Sequence, residues 1–349
     1  MNGWEVRQGD ALDLLQAMPA ASVRCCITSP PYFGLRDYNV PGQMGLERTW
    51  EEYVAALVCL FAEVRRVLAV DGTFWLVIGD CYQNGDRGGY RLDSHRWEKS
   101  EMQSKRADRG GSGIQGAANR LPQAGLKDKD LIGIPWRVAF ALQADGWWLR
   151  SDVVWHKPAC MPESVRDRPT RSHEYLFLLA KSARYFYDAN AIKEPGVYLG
   201  PNGAQKSPYA QGFARRTPDQ EKERRDKQRG YGRRHAGFNE RWDTMSKEEQ
   251  TNVMRNKRDV WTIQPSPFPE AHFATFPEAL VEPCILAGSA PGDLLLDPFA
   301  GSGTVGVVAL RHGRRFLGLE LNPAYCEMAR RRIAGPLFAE AHASAEARP

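Results

Sequence analysis

The last third of the chain alternates short apolar runs with amphipathic segments, and this alternation constrains the fold more than any other feature. The pattern predicts helices over residues 278–287, 304–311 and 323–333, and strands over residues 294–296 and 315–321. A proline in the first turn supports the last of these helices. Because strands that alternate with helices form βαβ units, we predict a parallel sheet flanked by helices.

The first half of the chain shows the same kind of patterning. A helix is predicted over residues 49–69, with Thr49 as its N-cap and Glu52 completing a capping box. Asp71-Gly72 predicts a turn before the next strand. The other elements predicted here are a helix over residues 134–144 and strands over residues 23–28, 73–78, 148–155, 174–180 and, paired with the last of these, 184–188.

Two irregular segments interrupt this pattern. Residues 84–127 contain eight glycines, and we interpret them as a mobile insertion. Residues 204–258 contain 15 Lys and Arg against 8 Asp and Glu, an excess of +7 that exceeds the +5 of the whole chain. Aromatic residues are interleaved with these charges, which favours contact with nucleic acid over a solvated loop.

Composition excludes several classes of protein. Apolar residues make up 42% of the chain and charged residues 26%, as in globular proteins with a packed core. No apolar run is long enough to span a membrane, and the N-terminus does not resemble a signal peptide, so a cytoplasmic location is expected. The seven cysteines include no C-x-x-C pair, which argues against a disulfide framework and a zinc site.

A glycine-rich loop follows the strand predicted over residues 294–296. Gly301, Gly303 and Gly306 fit the G-x-G-x-x-G pattern of nucleotide-binding loops. Glu320, at the end of the next strand, can accept hydrogen bonds from a ribose. Asp297 precedes the loop, where a carboxylate suits a cationic ligand better than a pyrophosphate. We therefore predict S-adenosyl-L-methionine rather than a nicotinamide dinucleotide.

A Ser-Pro-Pro-Tyr turn closes the strand that ends at Thr28. Its two prolines fix the backbone and lack N–H groups, which leaves the carbonyls of Ser29 and Pro30 without ladder partners. The Ser29 hydroxyl and the Pro30 carbonyl can accept hydrogen bonds from an exocyclic amine, and the Tyr32 ring offers a face for stacking a base. The alternative interpretation is a plain turn that ends a strand.

With both segments present, the chain resembles the amino-methylating DNA methyltransferases over residues 1–82, 130–195 and 259–335. These enzymes transfer a methyl group from S-adenosyl-L-methionine to N4 of cytosine or N6 of adenine. The Ser-Pro-Pro-Tyr motif precedes the glycine loop, an order that resembles the permuted beta group of the family. The resemblance implies a Rossmann-like α/β fold, a mostly parallel twisted sheet with helices on both faces, and double-stranded DNA as a substrate whose target base is flipped out.

The resemblance also assigns site residues. The catalytic motif is matched by Ser29, Pro30, Pro31 and Tyr32. The positions that match the cofactor site are Asp10, Thr28, His272, Phe276, Asp297, Phe299, Gly301, Gly303 and Glu320. The segment Gly79-Asp80-Cys81-Tyr82 resembles a wall of the target pocket, and Asp80 is one candidate acceptor for the amine proton. No metal is implied.

The first motif residue bears on the target base. The family's adenine enzymes mostly have Asp at this position and its N4-cytosine enzymes mostly have Ser, so Ser29 favours N4 of cytosine. The alternatives that stay open are an N6-adenine or RNA methyltransferase with the same mechanism, a nicotinamide-dependent oxidoreductase and a non-catalytic nucleic-acid-binding protein.

The predicted domain organisation follows from these assignments. A catalytic half covers residues 1–195, a basic target-recognition region covers 196–258, a cofactor-binding half covers 259–335 and a flexible tail covers 336–349. The resemblance leaves open whether the enzyme is a monomer or a homodimer and whether a cognate restriction endonuclease accompanies it.

Overall fold

The fold is known from a computed structural model, and the chain divides into two compact units. The larger unit comprises Met1–Ala191 with Arg258–Pro349, and the smaller unit is Ile192–Lys257. The structure describes residues 3–83, 123–160, 162–195, 254–265 and 276–335. The predicted tail and most of the two irregular segments therefore lie outside the described residues.

Within the described part of the larger unit, eight strands form one mixed sheet in the order β1-β10-β9-β2-β3-β5-β4-β8. The strands of the chain are β1 (Trp4–Gln8), β2 (Val23–Thr28), β3 (Leu68–Ile78), β4 (Trp148–His156), β5 (His173–Ala180), β6 (Glu194–Pro195), β7 (Met254–Arg255), β8 (Val260–Thr262), β9 (Leu294–Asp297) and β10 (Arg315–Glu320). Neighbouring strands of the large sheet are parallel, except that β5 is antiparallel to both β3 and β4. The prediction of a mostly parallel sheet is confirmed.

Helices pack on both faces of this sheet. Those within the described residues are α1 (Ala11–Gln16), α2 (Trp50–Val67), α3 (Ile134–Ala144), α4 (Glu278–Gly288), α5 (Thr304–Arg311) and α6 (Pro323–Ile333). Phe61 of α2 contacts Phe74 of β3, with ring centroids 4.7 Å apart. Gly288 of α4 lies against Thr73, which immediately precedes Phe74 in β3. Because successive side chains of a strand point to opposite faces, α2 and α4 cover opposite sides of the sheet.

The helix boundaries follow local signals in the sequence. Thr49 Oγ1 accepts a hydrogen bond from the Glu52 N–H at 3.2 Å, and the Glu52 carboxylate accepts one from the Thr49 N–H, which confirms the predicted capping box. The prediction extended α2 to residue 69, but the helix ends at Val67 and the chain continues directly into β3. No helix in the described ranges combines the length and the apolar character that a membrane span requires.

Two further predictions about the first half are wrong. Asp71-Gly72 does not form a turn, because both residues lie within β3. The register between β3 and β2 shifts between Val23 and Cys25, so β3 has extra residues at this point that form an irregularity in the pairing. Residues 184–188 do not pair with β5, because β3 and β4 already occupy both sides of that strand. The Phe186 N–H instead donates to the Asp71 carbonyl at 2.9 Å.

The described part of the smaller unit contains one short antiparallel pair, formed by β6 and β7. Arg255 Nε donates to Glu194 Oε1 at 2.9 Å, so a salt bridge joins the two strands. Residues 196–253, which include most of the predicted recognition region, lie outside the described residues.

Candidate active site

Two segments that are far apart in the chain meet at one edge of the sheet. The strands β2 and β9 are parallel neighbours, so the Ser-Pro-Pro-Tyr turn and the glycine loop both begin at the same edge. The Thr28 hydroxyl donates to Asp297 Oδ1 at 2.6 Å, and both side chains are buried. In open α/β sheets, ligands bind outside the carboxyl ends of the strands, which is where these segments lie.

A cavity of about 260 Å³ opens between the two segments. The predicted site residues that line it are Asp10, Ser29, Pro30, Pro31, Tyr32, Phe276, Phe299, Gly301 and Glu320. Of the remaining predicted residues that the structure describes, Thr28, Asp297 and Gly303 do not line this cavity. His272 lies outside the described residues. The catalytic motif and the cofactor loop therefore face one shared space.

The Ser-Pro-Pro-Tyr turn is held from outside as well as by its prolines. The Tyr53 hydroxyl of α2 donates to the Pro31 carbonyl at 2.8 Å. The Tyr32 ring packs on the end of β3, where a Cβ on Gly79 would approach the ring to 2.5 Å. Gly79 is therefore needed to seat this ring, and the turn has little freedom to move.

The Tyr32 hydroxyl belongs to a polar network beside the cavity. It donates to Glu174 Oε2 at 2.8 Å, and the Ser29 hydroxyl lies 3.5 Å from it in donor geometry. Lys157 forms a salt bridge with Glu174 Oε1, and its Nζ lies 4.1 Å from the centroid of the Trp155 ring. Burial, reinforced by the Glu174 charge, raises the pKa of Tyr32 well above its ordinary value. The hydroxyl therefore keeps its proton at neutral pH.

The cavity is also lined by three residues that were not predicted from the sequence, namely Glu174, Lys157 and Trp155. Glu174 is the second residue of β5, which is apolar from Tyr175 onward, and this charged residue was the one available signal. Because β5 is antiparallel to β3, the start of β5 lies at the edge where the parallel strands end. That direction could not be read from the strand pattern.

The glycine loop is held by the Glu320 side chain at the end of β10. The Gly301 N–H donates to Glu320 Oε2 and the Asn322 N–H donates to Glu320 Oε1, each at 2.8 Å. Burial raises the pKa of Glu320. Gly303 has a φ of +77° at the N-cap of α5, where a Cβ would lie 3.1 Å from the Ala329 Cβ. Gly303 thus serves the packing of α5 against α6.

Asp297 lies beneath this loop. Its Oδ1 accepts hydrogen bonds from the Thr28 hydroxyl and, at 3.1 Å, from the Phe299 N–H. Its Oδ2 is buried and has no hydrogen-bond partner among the described residues. Burial raises the pKa of Asp297 to about 7, although its two hydrogen bonds oppose the shift. A cation bound near the loop would favour the ionised carboxylate.

Two other predicted acidic residues differ in their surroundings. Asp10 lines the cavity and caps α1, with Oδ1 accepting from the N–H groups of Leu12 and Asp13. Asp80 instead accepts three N–H groups at 2.9 Å each, including those of Gly133 and Ile134 at the start of α3. Within the described residues, Asp80 does not line the cavity, so its contacts give it a structural role.

The segment that follows the Ser-Pro-Pro-Tyr turn supplies another part of the cavity lining. Its residues were not predicted from the sequence. Leu35, Tyr38 and Met44 line the cavity together with Tyr325 of α6. The Tyr38 and Tyr325 rings meet edge to face with centroids 6.3 Å apart, and the Tyr38 N–H donates to Gln43 Oε1 at 2.6 Å. These contacts give the cavity an aromatic wall.

The residues around the glycine loop fit a nucleoside that also bears a positive charge. A Cβ on Gly301 would meet no atom closer than the Phe299 carbonyl at 3.9 Å, so the loop leaves space for a ligand. Glu320 contributes carboxylate oxygens to the cavity lining. The buried Asp297 Oδ2 is an acceptor without a hydrogen-bond partner among the described residues. This combination suits the ribose and ammonium groups of S-adenosyl-L-methionine.

Comparisons with known proteins show which family and which solved structures the chain is similar to. The family model N6_N4_Mtase, described as DNA methylase, matches residues 23–331. Type II methyltransferase M.Cfr9I of Citrobacter freundii is 43% identical over 335 residues, which cover 96% of this chain and 89% of that protein.

Two solved structures share the fold. PvuII DNA methyltransferase (cytosine-N4-specific) aligns with a TM-score of 0.57 and 18% identity, covering 95% of this chain and 87% of that one. TTHA0409 of Thermus thermophilus, complexed with S-adenosyl-L-methionine, aligns with a TM-score of 0.51 and 22% identity, covering 95% and 93%.

Proposed function

Because the chain belongs to the N6/N4 DNA methylase family, we propose that it methylates the N4 amine of cytosine at a specific sequence in double-stranded DNA. The protein is a DNA methyltransferase, and S-adenosyl-L-methionine is its methyl donor. The observation that carries the proposal is that Ser29 heads the Ser-Pro-Pro-Tyr turn and faces the same cavity as the glycine loop. Serine at this position is typical of the N4-cytosine enzymes that the motif resembles.

The catalytic turn suits an amine that is a weak nucleophile. The lone pair of an exocyclic amine is delocalised into the base, so acceptors at its hydrogens help to localise it on nitrogen. The Ser29 hydroxyl and the Pro30 carbonyl supply such acceptors, and the Tyr32 ring supplies a stacking face. The amine is not accessible inside a duplex, so the base has to be flipped into the cavity.

The cofactor side of the cavity has a separate task. Glu320 would hold the ribose, Asp10 the adenine amino group, and Phe299 and Gly301 the walls of the nucleoside site. When bound, S-adenosyl-L-methionine supplies a methyl group that is activated by its sulfonium. The chain itself then has to align the amine with that methyl group, which the rigid turn beside the loop favours.

Sequence recognition is assigned to residues 196–258. The +7 excess of residues 204–258 supports contact with phosphates, and the separation of Ile192–Lys257 as a compact unit supports an independent module. Replacing this region with its counterpart from a relative is expected to change the methylated sequence. An unchanged sequence would contradict the assignment.

The similarity to a type II methyltransferase supports a role in a restriction-modification system. A cognate restriction endonuclease as partner stays a prediction, as does the choice between a monomer and a homodimer. Purification from the native host, followed by a DNA-cleavage assay and light scattering, tests both.

One experiment tests the choice of base. Genomic DNA from a methylation-deficient bacterium is incubated with the protein and S-adenosyl-L-methionine, digested to nucleosides and analysed by mass spectrometry. N4-methylcytosine is expected, and Ser29→Ala should slow its formation by about 1,000-fold. N6-methyladenine instead would overturn the cytosine assignment alone, whereas no methylated nucleoside would overturn the proposed reaction as a whole.

A further inference from the structure

Methylation of an exocyclic amine releases a proton, and the cavity contains a route for it. The amine starts with two hydrogens and becomes positively charged when its lone pair attacks the methyl group. One N–H proton then has to leave. Asp80 is poorly placed to take it, because its Oδ1 already accepts three N–H groups and its Oδ2 lies 3.5 Å from Arg171 Nη2.

A line of side chains leads from the catalytic turn to another carboxylate. The Ser29 hydroxyl points its donor at the Tyr32 hydroxyl, which donates in turn to Glu174 Oε2. Lys157 occupies the opposite oxygen, Oε1, and leaves Oε2 to Tyr32. All four side chains line the cavity, so the line begins where the amine has to bind.

We propose that Glu174 is the final acceptor of the amine proton, which reaches it through the hydroxyls of Ser29 and Tyr32. This inference rests on the proposed function in one respect, namely that the target is an exocyclic amine. Glu174 is then a catalytic participant that acts through two hydroxyls, and Lys157 is a positioning residue.

The step balances. A bond forms between the amine nitrogen and the methyl carbon, while the bond from that carbon to sulfur breaks and its electron pair stays on sulfur. The amine proton passes to Ser29 Oγ, the Ser29 proton passes to Tyr32 Oη, and the Tyr32 proton passes to Glu174 Oε2. Each hydroxyl ends as it began, and Glu174 ends protonated.

The contacts fit this direction of transfer. The Tyr32 hydroxyl is protonated at rest, so it can donate to Glu174 while accepting from Ser29. The Ser29 contact of 3.5 Å is long, as is common for catalytic hydrogen bonds before the substrate binds. The Glu174 side chain is 20% exposed, which gives the proton an exit to solvent after turnover.

Tyr32→Phe, Glu174→Gln and the double variant test the proposal, with Tyr185→Phe as a matched control away from the cavity. Tyr32→Phe keeps the stacking ring and removes only the relay hydroxyl. We expect each single variant to lower the single-turnover rate of methyl transfer by about 10- to 100-fold. The double variant should be no more than about threefold slower than the slower single variant, because both changes interrupt one path.

Binding measurements separate this role from a structural one. Titration calorimetry with S-adenosyl-L-methionine alone should give nearly the wild-type affinity in Tyr32→Phe. Its melting temperature should fall by only a few degrees, as expected for the loss of one hydrogen bond. The wild-type rate in D₂O should be reduced, and Tyr32→Phe should lose that reduction. A wild-type protein that forms N4-methylcytosine while Tyr32→Phe keeps full speed would overturn the relay alone. Absence of methylated nucleoside from the wild type would count against the proposed function instead.

Discussion

The turn after β2 and the loop after β9 lie side by side, yet different features hold them in place. The catalytic turn is held by prolines and by side chains from other elements, since Tyr53 reaches Pro31 and Glu174 reaches Tyr32. The cofactor loop is held through its own backbone N–H groups: Ala300 donates to the Leu319 carbonyl at 2.9 Å, Gly303 to the Ala300 carbonyl at 2.7 Å, and Gly301 to the Glu320 carboxylate at 2.8 Å.

This difference matches what each segment has to do. Acceptors that localise a lone pair work best when they cannot move, and proline removes both backbone freedom and competing N–H groups. A loop that surrounds a nucleoside needs open space near its backbone, which glycine provides. The Thr28–Asp297 hydrogen bond then ties the two segments to one another.

The sharpest test of this comparison is Ser29→Ala, because it should affect chemistry without affecting cofactor binding. The variant loses the hydroxyl acceptor, and we expect kcat to fall by about 1,000-fold. Titration calorimetry should give the wild-type affinity for S-adenosyl-L-methionine. A large loss of that affinity would mean that the two segments do not have separable roles.

The reciprocal change is Glu320→Ala, which removes the acceptor of the Gly301 and Asn322 N–H groups. Affinity for S-adenosyl-L-methionine should fall by about 100-fold, since a ribose acceptor and the loop anchor are both lost. Glu327→Ala, an exposed change on α6, is the matched control and should bind as the wild type does. Equal affinities in the two variants would remove Glu320 from the cofactor site.

The buried Asp297 makes the stability of the ligand-free protein depend on pH. Its pKa of about 7 in the folded protein exceeds the ordinary 3.8, so folding favours the protonated form. The resulting stabilisation is complete below about pH 4 and is lost as the pH rises through 7. Between pH 5 and 8, wild type should lose roughly 2.6 kcal/mol relative to Asp297→Asn in denaturant titrations. Parallel curves for the two proteins would refute the raised pKa.

The smallest expected effect concerns the Thr28–Asp297 hydrogen bond, which joins the catalytic turn to the cofactor loop. Thr28→Val keeps the shape of the side chain but removes the donor to Asp297. The free energy of unfolding should fall by about 1 kcal/mol, and the Asp297 transition should move to higher pH because that hydrogen bond lowers its pKa. Denaturant titrations over the same pH range measure both the free energy of unfolding and the pH of the Asp297 transition. An unchanged transition pH would show that the Thr28–Asp297 hydrogen bond does not form in solution.

Regular patterning made much of the fold predictable. The predicted strand over residues 23–28 and the predicted helices over 134–144, 304–311 and 323–333 coincide with β2, α3, α5 and α6. Two strands of the large sheet were missed for physical reasons. β1 lies at an edge of the sheet with one buried residue, so it has no apolar run, and β8 is only three residues long.

The site was predictable where its residues belong to a motif or to a position that the family resemblance assigns, as for Asp10, Phe276 and Glu320. The Ser-Pro-Pro-Tyr turn and the glycine loop are local motifs whose chemistry can be read directly. Glu174 lies 142 residues from Tyr32 and reaches it only through the antiparallel placement of β5. Contacts of this kind depend on strand order, which a single sequence does not specify.

The pairing of the first and last strands of the sheet allows the chain order to be rearranged. β1 is parallel to β10, and Arg330 of α6 donates to the Val6 carbonyl at 2.9 Å. β10, α6 and β1 thus form a strand–helix–strand unit that lacks only its final covalent link. We expect a circular permutant with that link added, and opened elsewhere, to keep the described contacts of the site, because they depend on strand order in the sheet and not on order along the chain.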